Sequence, residues 1–232
     1  MSGGSFVSPE TRQRVRGWAV PVAVAMGRLG LTPNALTLIG FGMAVVAAIA
    51  AAGQSWVLAG VLVLAGSVFD LFDGTLARAT GRANRLGAFY DSVFDRAGEG
   101  IVYLGITWGF GATGFNEATV LPAMAGVAAF LVSYTRAKSE SLGVEGGGGM
   151  AAVGLAPREV RIVILSIGLL LASGPILELP PPNAACAGVC DFPQGGSLGI
   201  ALMAITILAT ITTIQRIVHV KRQLESTDQT HQ

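Results

Sequence analysis

The stretch "FDLFDGTLARATGRANRLGAFYDSVFDRAGEG", residues 69–100, decides how this chain is read. It carries four aspartates, Asp70, Asp73, Asp91 and Asp95, between two long apolar runs. Asp70 and Asp73 are three residues apart, and Asp91 and Asp95 are four apart. On helices each pair therefore lies on one face. If the two helices pack as an antiparallel pair joined by residues 80–86, all four carboxylates converge at one end of the bundle. Gly74, Ala77 and Gly87 fall on the same faces, where small residues let a backbone or a ligand come close.

Working outward, the chain has 232 residues, of which 52% are hydrophobic and 12% charged. Soluble domains carry roughly 25% charged residues, so a water-soluble globule is a poor fit. The apolar residues form blocks of membrane-spanning length, about 20 residues each. Six such segments are expected, near 35–53, 56–79, 86–111, 118–139, 160–177 and 197–220. An amphipathic juxtamembrane helix is expected over 9–29, with Ser8 as cap and Pro9 in its first turn. Its Val15, Trp18, Ala19, Val22, Met26 and Leu29 share one face. Arg12, Arg14 and Arg16 suit an anionic membrane surface. Thr32 and Pro33 then start the first span. The fold class is thus an all-α integral membrane protein. One membrane domain covers 1–222, with a six-helix bundle over 35–220 and a disordered polar tail over 223–232. Loops are expected at 143–154 and 174–196. The second of these holds Cys186 and Cys190, a CxxxC pair with no neighbouring His or further Cys, which reads as structural or idle rather than metal-binding. No secretory leader is read in the first 30 residues.

The fifteen Lys and Arg residues set the orientation. They lie before the first span, around 78–96, around 136–161 and at 216–222, while 53–55, 112–117 and 178–196 hold none. The positive-inside rule puts both termini and the 80s and 140s loops in the cytoplasm. The expected location is the plasma (inner) membrane, multi-pass, with the carboxylates facing the cytoplasm. No nucleic-acid partner is expected.

A carboxylate at membrane depth costs at least ~2.5–3.5 kcal/mol, and four together repel one another. A cation must offset them, and an all-oxygen donor set suits Mg²⁺ or Mn²⁺. The plainer alternative is an ionic latch with Arg78, Arg82, Arg85 and Arg96. It leaves the small residues on the same faces without a reason.

The pattern Asp70-x2-Asp73-Gly74-x2-Ala77-Arg78-x8-Gly87-x3-Asp91-x3-Asp95 resembles the signature of the CDP-alcohol phosphotransferases at all of its positions. The basic amphipathic N-terminus, the "TPN" before the first span and the six spans fit the same family. The resemblance implies two Mg²⁺ or Mn²⁺ ions held by Asp70, Asp73 and Asp91, with Asp95 at the same centre. It also implies that Asp70, Asp73, Gly74, Ala77, Arg78 and Gly87 hold the CDP group of a CDP-linked lipid. Asp95 would be the general base that takes the proton of the acceptor hydroxyl. A homodimer in contact with membrane lipids is the family's common state, and Gly40 and Gly42 permit close helix contact.

A second cluster, "SYTRAKSESLG" at 133–143 with "REVR" at 158–161 and Arg216, collects five cations. Arg and Ser groups of this kind suit a phosphate monoester. Each cation alone also reads as a positive-inside residue meeting headgroups. The Ser-Tyr-x-basic-Ala-basic stretch resembles the branch of the family that uses inositol phosphate. By that resemblance Ser133, Arg136, Arg158 and Arg216 grip the phosphate of inositol 1-phosphate. The phosphatidyl group of CDP-diacylglycerol would pass to it, giving phosphatidylinositol phosphate and CMP. Glycerol 3-phosphate, giving phosphatidylglycerophosphate, is the alternative acceptor. A cation carrier is the distant alternative; it requires polar groups through the whole membrane depth, and here they gather at one end.

Overall fold

The computed structural model describes residues 20–112, 119–143, 153–172 and 196–230, and among these every regular element is a helix. α1 covers 20–28, α2 Pro33–Ala52, α3 Trp56–Ala79, α4 Arg85–Ala112, α5 Val120–Ser141, α6 Arg158–Leu171 and α7 Gly196–Thr230. Residues 9–19 of the expected juxtamembrane helix, most of the 143–154 and 174–196 loops, and Cys186 and Cys190 lie outside the described residues.

Local signals account for the boundaries. The Thr32 hydroxyl accepts from the Ala35 N–H at 3.2 Å, with Pro33 at the first helical position. That is the expected start of α2. α3 ends on Gly81, which takes a left-handed φ of 66°. The Arg82 N–H then bonds the Ala77 carbonyl, and the Gly81 N–H bonds Arg78. This glycine-terminated stop reverses the chain within a few residues. Asn84 opens α4 by accepting from the Gly87 N–H at 2.7 Å.

Helices α2, α3, α6, α7, α5 and α4 pack in that order into a closed ring, α4 returning to α2. One apolar cluster joins all six, including Ala47, Trp56, Ile106, Ala125, Leu169 and Leu202. Close approach of α4 to α2 depends on Gly105 and Gly109. A Cβ at either would run into the carbonyl oxygen of Ala48 or Ala51. Below α2, Ala23 of α1 packs with Leu36 and Leu76.

Two expectations are corrected. α3 and α4 do not form a packed antiparallel pair, because α2 lies against both of them. A cleft therefore separates the faces that carry the aspartates. The tail expected to be disordered from 223 is helical through Thr230. Its Gln, Leu and Glu residues are good helix formers, and Lys221 pairs with Glu225 one turn on, at 3.6 Å.

Among the described residues, four helices are long and apolar enough to cross a membrane: Pro33–Ala52, Trp56–Ala79, Val120–Ser141 and Gly196–Ser226. Many of their large apolar side chains face outward, Ile49, Val127 and Ile207 among them. That is the arrangement expected when lipid is the surrounding solvent. α4 differs in carrying Arg85, Asp91, Asp95, Arg96 and Glu99 between its start and its middle turn. α6 shows 14 residues.

Candidate active site

The cleft between α3 and α4 brings the four aspartates together. Asp70 and Asp73 come from the last turns of α3, and Asp91 and Asp95 from the first turns of α4. The charges of Asp70, Asp73 and Asp91 all act on Asp95. The offsetting cation comes from α6. Arg158 places Nη2 2.7 Å from Asp70 Oδ2 and Nη1 2.9 Å from Asp95 Oδ2. None of Arg78, Arg82, Arg85 and Arg96, the partners of the ionic-latch alternative, pairs with these acids among the described residues. Asp73 is 4% exposed and accepts a 2.6 Å hydrogen bond from the Thr37 hydroxyl of α2.

Three cavities meet at these carboxylates. The first, about 590 Å³, is lined by Asp73, Gly74, Ala77, Arg78, Gly87 and Asp91. It is closed on the α2 side by Asn34 and Thr37. The Arg78 guanidinium folds over Gly74, where an added Cβ would stand 3.3 Å from Nη1. Asp70 does not line this cavity. It faces a second, narrow and largely apolar cavity with Asp95, Phe41, Phe94 and Leu165.

The third cavity, about 900 Å³, is polar and basic. Ser133, Arg136, Arg158 and Arg216 all line it, with Asp91 and Asp95 at its edge. Its cations are held in different ways. Arg136 pairs with Glu140 on its own helix at 2.8 Å, and both are about half exposed. Arg216 is 3% exposed and donates from Nε to the Val153 carbonyl and from Nη1 to the Val132 carbonyl. Thr212, one turn earlier, accepts from the Leu155 and Ala156 N–H groups. α7 thus anchors the segment that delivers the first turn of α6, and with it Arg158.

Two functional residues escaped the sequence reading. Glu99 holds Arg161 through two bonds of 2.8 and 2.7 Å, and Arg161 Nη1 donates to the Ala156 carbonyl. With 1% exposure and these donors engaged, Arg161 fixes the start of α6 rather than reaching a ligand. Thr37 is the other. A Thr four residues into an apolar helix carries no motif; only the packing of α2 beside α3 gives it a partner.

As the side chains stand, no three acidic, His or Cys groups among the described residues close around one point. The guanidinium between Asp70 and Asp95 shows nonetheless that the cleft accommodates positive charge there. The donors are hard oxygens, which suit Mg²⁺ or Mn²⁺. The residues present fit a divalent centre.

Comparison with known proteins agrees with this geometry. The sequence model of the CDP-alcohol phosphatidyltransferase family matches residues 30–219. The archaetidylinositol phosphate synthase of Pyrococcus horikoshii is 33% identical over 95% of this chain and 98% of its own length. The phosphatidylinositol phosphate synthase of Cutibacterium acnes is 33% identical over 90% of this chain and 97% of its own. The Mycobacterium tuberculosis phosphatidylinositol phosphate synthase with CDP-DAG bound superposes with a TM-score of 0.67 at 26% identity, over 87% of this chain and 92% of that one. The same enzyme in complex with manganese and citrate gives 0.65 at 27% identity, over 87% of this chain and 88% of that one. With its signature aspartates gathered in one cleft and the family match running from just before α2 through most of α7, the chain belongs to the CDP-alcohol phosphatidyltransferase family, a family of membrane transferases.

Proposed function

We propose that this enzyme transfers the phosphatidyl group of CDP-diacylglycerol to inositol 1-phosphate, giving phosphatidylinositol phosphate and CMP. The observation that carries this reading is the position of Asp91 and Asp95. Asp91 lines both the glycine-bordered cavity and the basic one, and Asp95 lies at the edge of the basic one. A nucleotide in the first cavity and a phosphorylated alcohol in the other would meet at these carboxylates. The names of the similar synthases support inositol phosphate over glycerol 3-phosphate.

The roles divide among the residues as follows. Gly74, Ala77 and Gly87 leave room for the CDP group, and Arg78 binds its phosphates. Asp70, Asp73, Asp91 and Asp95 would hold two Mg²⁺ or Mn²⁺ ions, which neutralise the pyrophosphate and make CMP a better leaving group. Thr37 orients Asp73. Ser133, Arg136, Arg158 and Arg216 bind the acceptor's phosphate and turn its hydroxyl toward the donor. Asp95 accepts the hydroxyl proton as that oxygen attacks the lipid-bearing phosphorus. The apolar cavity beside Asp70 offers the lipid end of the donor a dry surface.

The same reading includes six spans. With 28 residues, α4 is about 42 Å long at 1.5 Å per residue, enough to cross a core of about 30 Å and still carry its first turns, with Arg85 and Asp91, at the interface. Both termini and the carboxylate cleft face the cytoplasm of the plasma membrane, residues 9–29 lie on that surface, and the domain extends over 1–222. The active form is a homodimer.

The test is a transfer assay in detergent or membranes. CDP-diacylglycerol, Mg²⁺ and labelled inositol 1-phosphate should yield CMP and a labelled lipid. Glycerol 3-phosphate in its place should yield far less. Equal or greater lipid product from glycerol 3-phosphate would overturn the choice of acceptor.

A further inference from the structure

We infer that Arg158 is exchanged between two partners, the Asp70–Asp95 carboxylates and the phosphate of the acceptor, so that cation binding at the first and phosphate binding in the basic cavity assist each other. The inference rests on the proposed function and adds an order to it: the carboxylates take up their divalent ion before the acceptor site is complete.

Arg158 stands at the boundary of two cavities. It lines the apolar one with Asp70 and Asp95, and the basic one with Ser133, Arg136 and Arg216. Its two terminal nitrogens bond the two carboxylates, one on each side of the cleft. Its third donor, Nε, is buried without a hydrogen-bond partner. The bridged arrangement therefore leaves the Nε–H of this side chain unused. A phosphate oxygen in the basic cavity would satisfy it, and phosphate accepts bidentate bonds from a guanidinium.

The neighbouring cations are held differently. Arg161 is fixed by Glu99 and the Ala156 carbonyl, and Arg216 by the Val132 and Val153 carbonyls. Those partners stay in place whatever the cleft binds. The partners of Arg158 do not, because Asp70 and Asp95 are the groups a divalent ion would recruit. Two cationic centres cannot share one carboxylate pair in a partly dry cleft without strong repulsion. A bound ion displaces the guanidinium, whose backbone stays anchored at the rim of the basic cavity. There it joins four other arginines against two further acids, Glu140 and Glu159, and a phosphate supplies the missing negative charge. Both ligands therefore favour the same released position of Arg158, and the coupling is reciprocal.

The experiment measures Mn²⁺ affinity directly, by electron paramagnetic resonance on the purified full-length protein in detergent, without turnover. Arg158→Gln should bind Mn²⁺ roughly tenfold tighter than the wild type. Arg158→Lys keeps the charge but cannot span two carboxylates, so it should show a smaller gain; it serves alone if the Gln variant does not fold. Arg136→Gln removes a cation of the same cavity that touches neither carboxylate, and its Mn²⁺ affinity should be unchanged. Inositol 1-phosphate should tighten Mn²⁺ binding in the wild type by roughly tenfold, and in Arg158→Gln not at all. An unchanged or weaker affinity in Arg158→Gln, or an equal gain in Arg136→Gln, overturns the exchange. Asp91→Asn separates the underlying reading. Mn²⁺ binding that survives there intact overturns the metal centre and the exchange with it. Binding lost in Asp91→Asn but not gained in Arg158→Gln overturns the exchange alone.

Discussion

The Thr37 hydroxyl donates a 2.6 Å hydrogen bond to Oδ2 of Asp73, 36 residues away on the neighbouring helix. One carboxylate oxygen of a buried acid is thereby held in a set direction by α2. Partners of this kind orient metal-binding carboxylates, and their loss typically costs about 10–100-fold in affinity or activity. Thr37→Val keeps the shape and removes the hydroxyl. It should lower kcat/KM by about that factor, with a parallel loss of Mn²⁺ affinity and an unchanged elution profile in detergent.

Asp95 should prove indispensable for turnover but not for donor binding. It lies at the edge of the basic cavity but not in the glycine-bordered one. Asp95→Asn is nearly isosteric and cannot take a proton. Loss of a positioned base costs about 10²–10⁴-fold in rate. The kinetics should show kcat falling by at least the lower figure while binding of the CDP-lipid, measured by calorimetry, is retained.

Glu99 and Arg161 form the most buried ion pair of the cleft, at 9% and 1% side-chain exposure. Removing one partner strands a charge in a dry site, at a cost of about 3–5 kcal/mol. Arg161→Met should therefore lower the thermal unfolding midpoint sharply. The double variant Glu99→Leu with Arg161→Met removes both charges and should recover much of that loss. A double variant no better than the single one would show that the pair is not the source of the effect.

How much of this was legible in the sequence follows from the range of each signal. The aspartate signature is local, with no step longer than nine residues, so both its helical faces and its chemistry could be read directly. The capping of α2 by Thr32 was legible for the same reason. The Arg158–Asp70 bond spans 88 residues and the Glu99–Arg161 bonds span 62. No periodicity encodes either; the first exists because α6 packs against α3 in the helix ring, and the second reaches across the ring from α6 to α4. The misreading of α3 and α4 as a packed pair has the same origin. A short connection implies neighbours, but an apolar helix earlier in the chain, α2, took the place between them. The tail past 222 was read as disordered from its polarity, whereas α7 runs on to Thr230, started by the helix formers Gln223, Leu224 and Glu225.

Gly105 and Gly109 of α4 should tolerate no side chain. A Cβ at either position meets the backbone of α2, which cannot move as a flexible side chain can. Overpacking of a core costs about 1–3 kcal/mol where side chains can adjust, and more where they cannot. Gly105→Val should lose the monodisperse peak in fluorescence-detected size exclusion. Gly42→Ala, where an added Cβ meets nothing, should behave as wild type.

Arg136 and Arg216 line the same cavity but should fail differently when replaced. Arg136 is half exposed, and its pair with Glu140 is a surface i,i+4 contact of little worth to stability. Under the proposed function its replacement by Gln removes a charge-assisted bond to the acceptor phosphate, worth about 1.5–3 kcal/mol. That corresponds to a rise of about 10–100-fold in the KM for inositol 1-phosphate. The KM for CDP-diacylglycerol and the unfolding midpoint should stay put. Arg216 is buried and ties two backbone carbonyls, Val132 of α5 and Val153 ahead of α6. Arg216→Gln should raise the acceptor KM and lower the unfolding midpoint together, because the tie between α5 and the segment ahead of α6 goes with the guanidinium. Measuring both quantities on both variants separates a residue that only meets the ligand from one that also builds the pocket. A fall in stability for Arg136→Gln, or none for Arg216→Gln, would reverse that assignment.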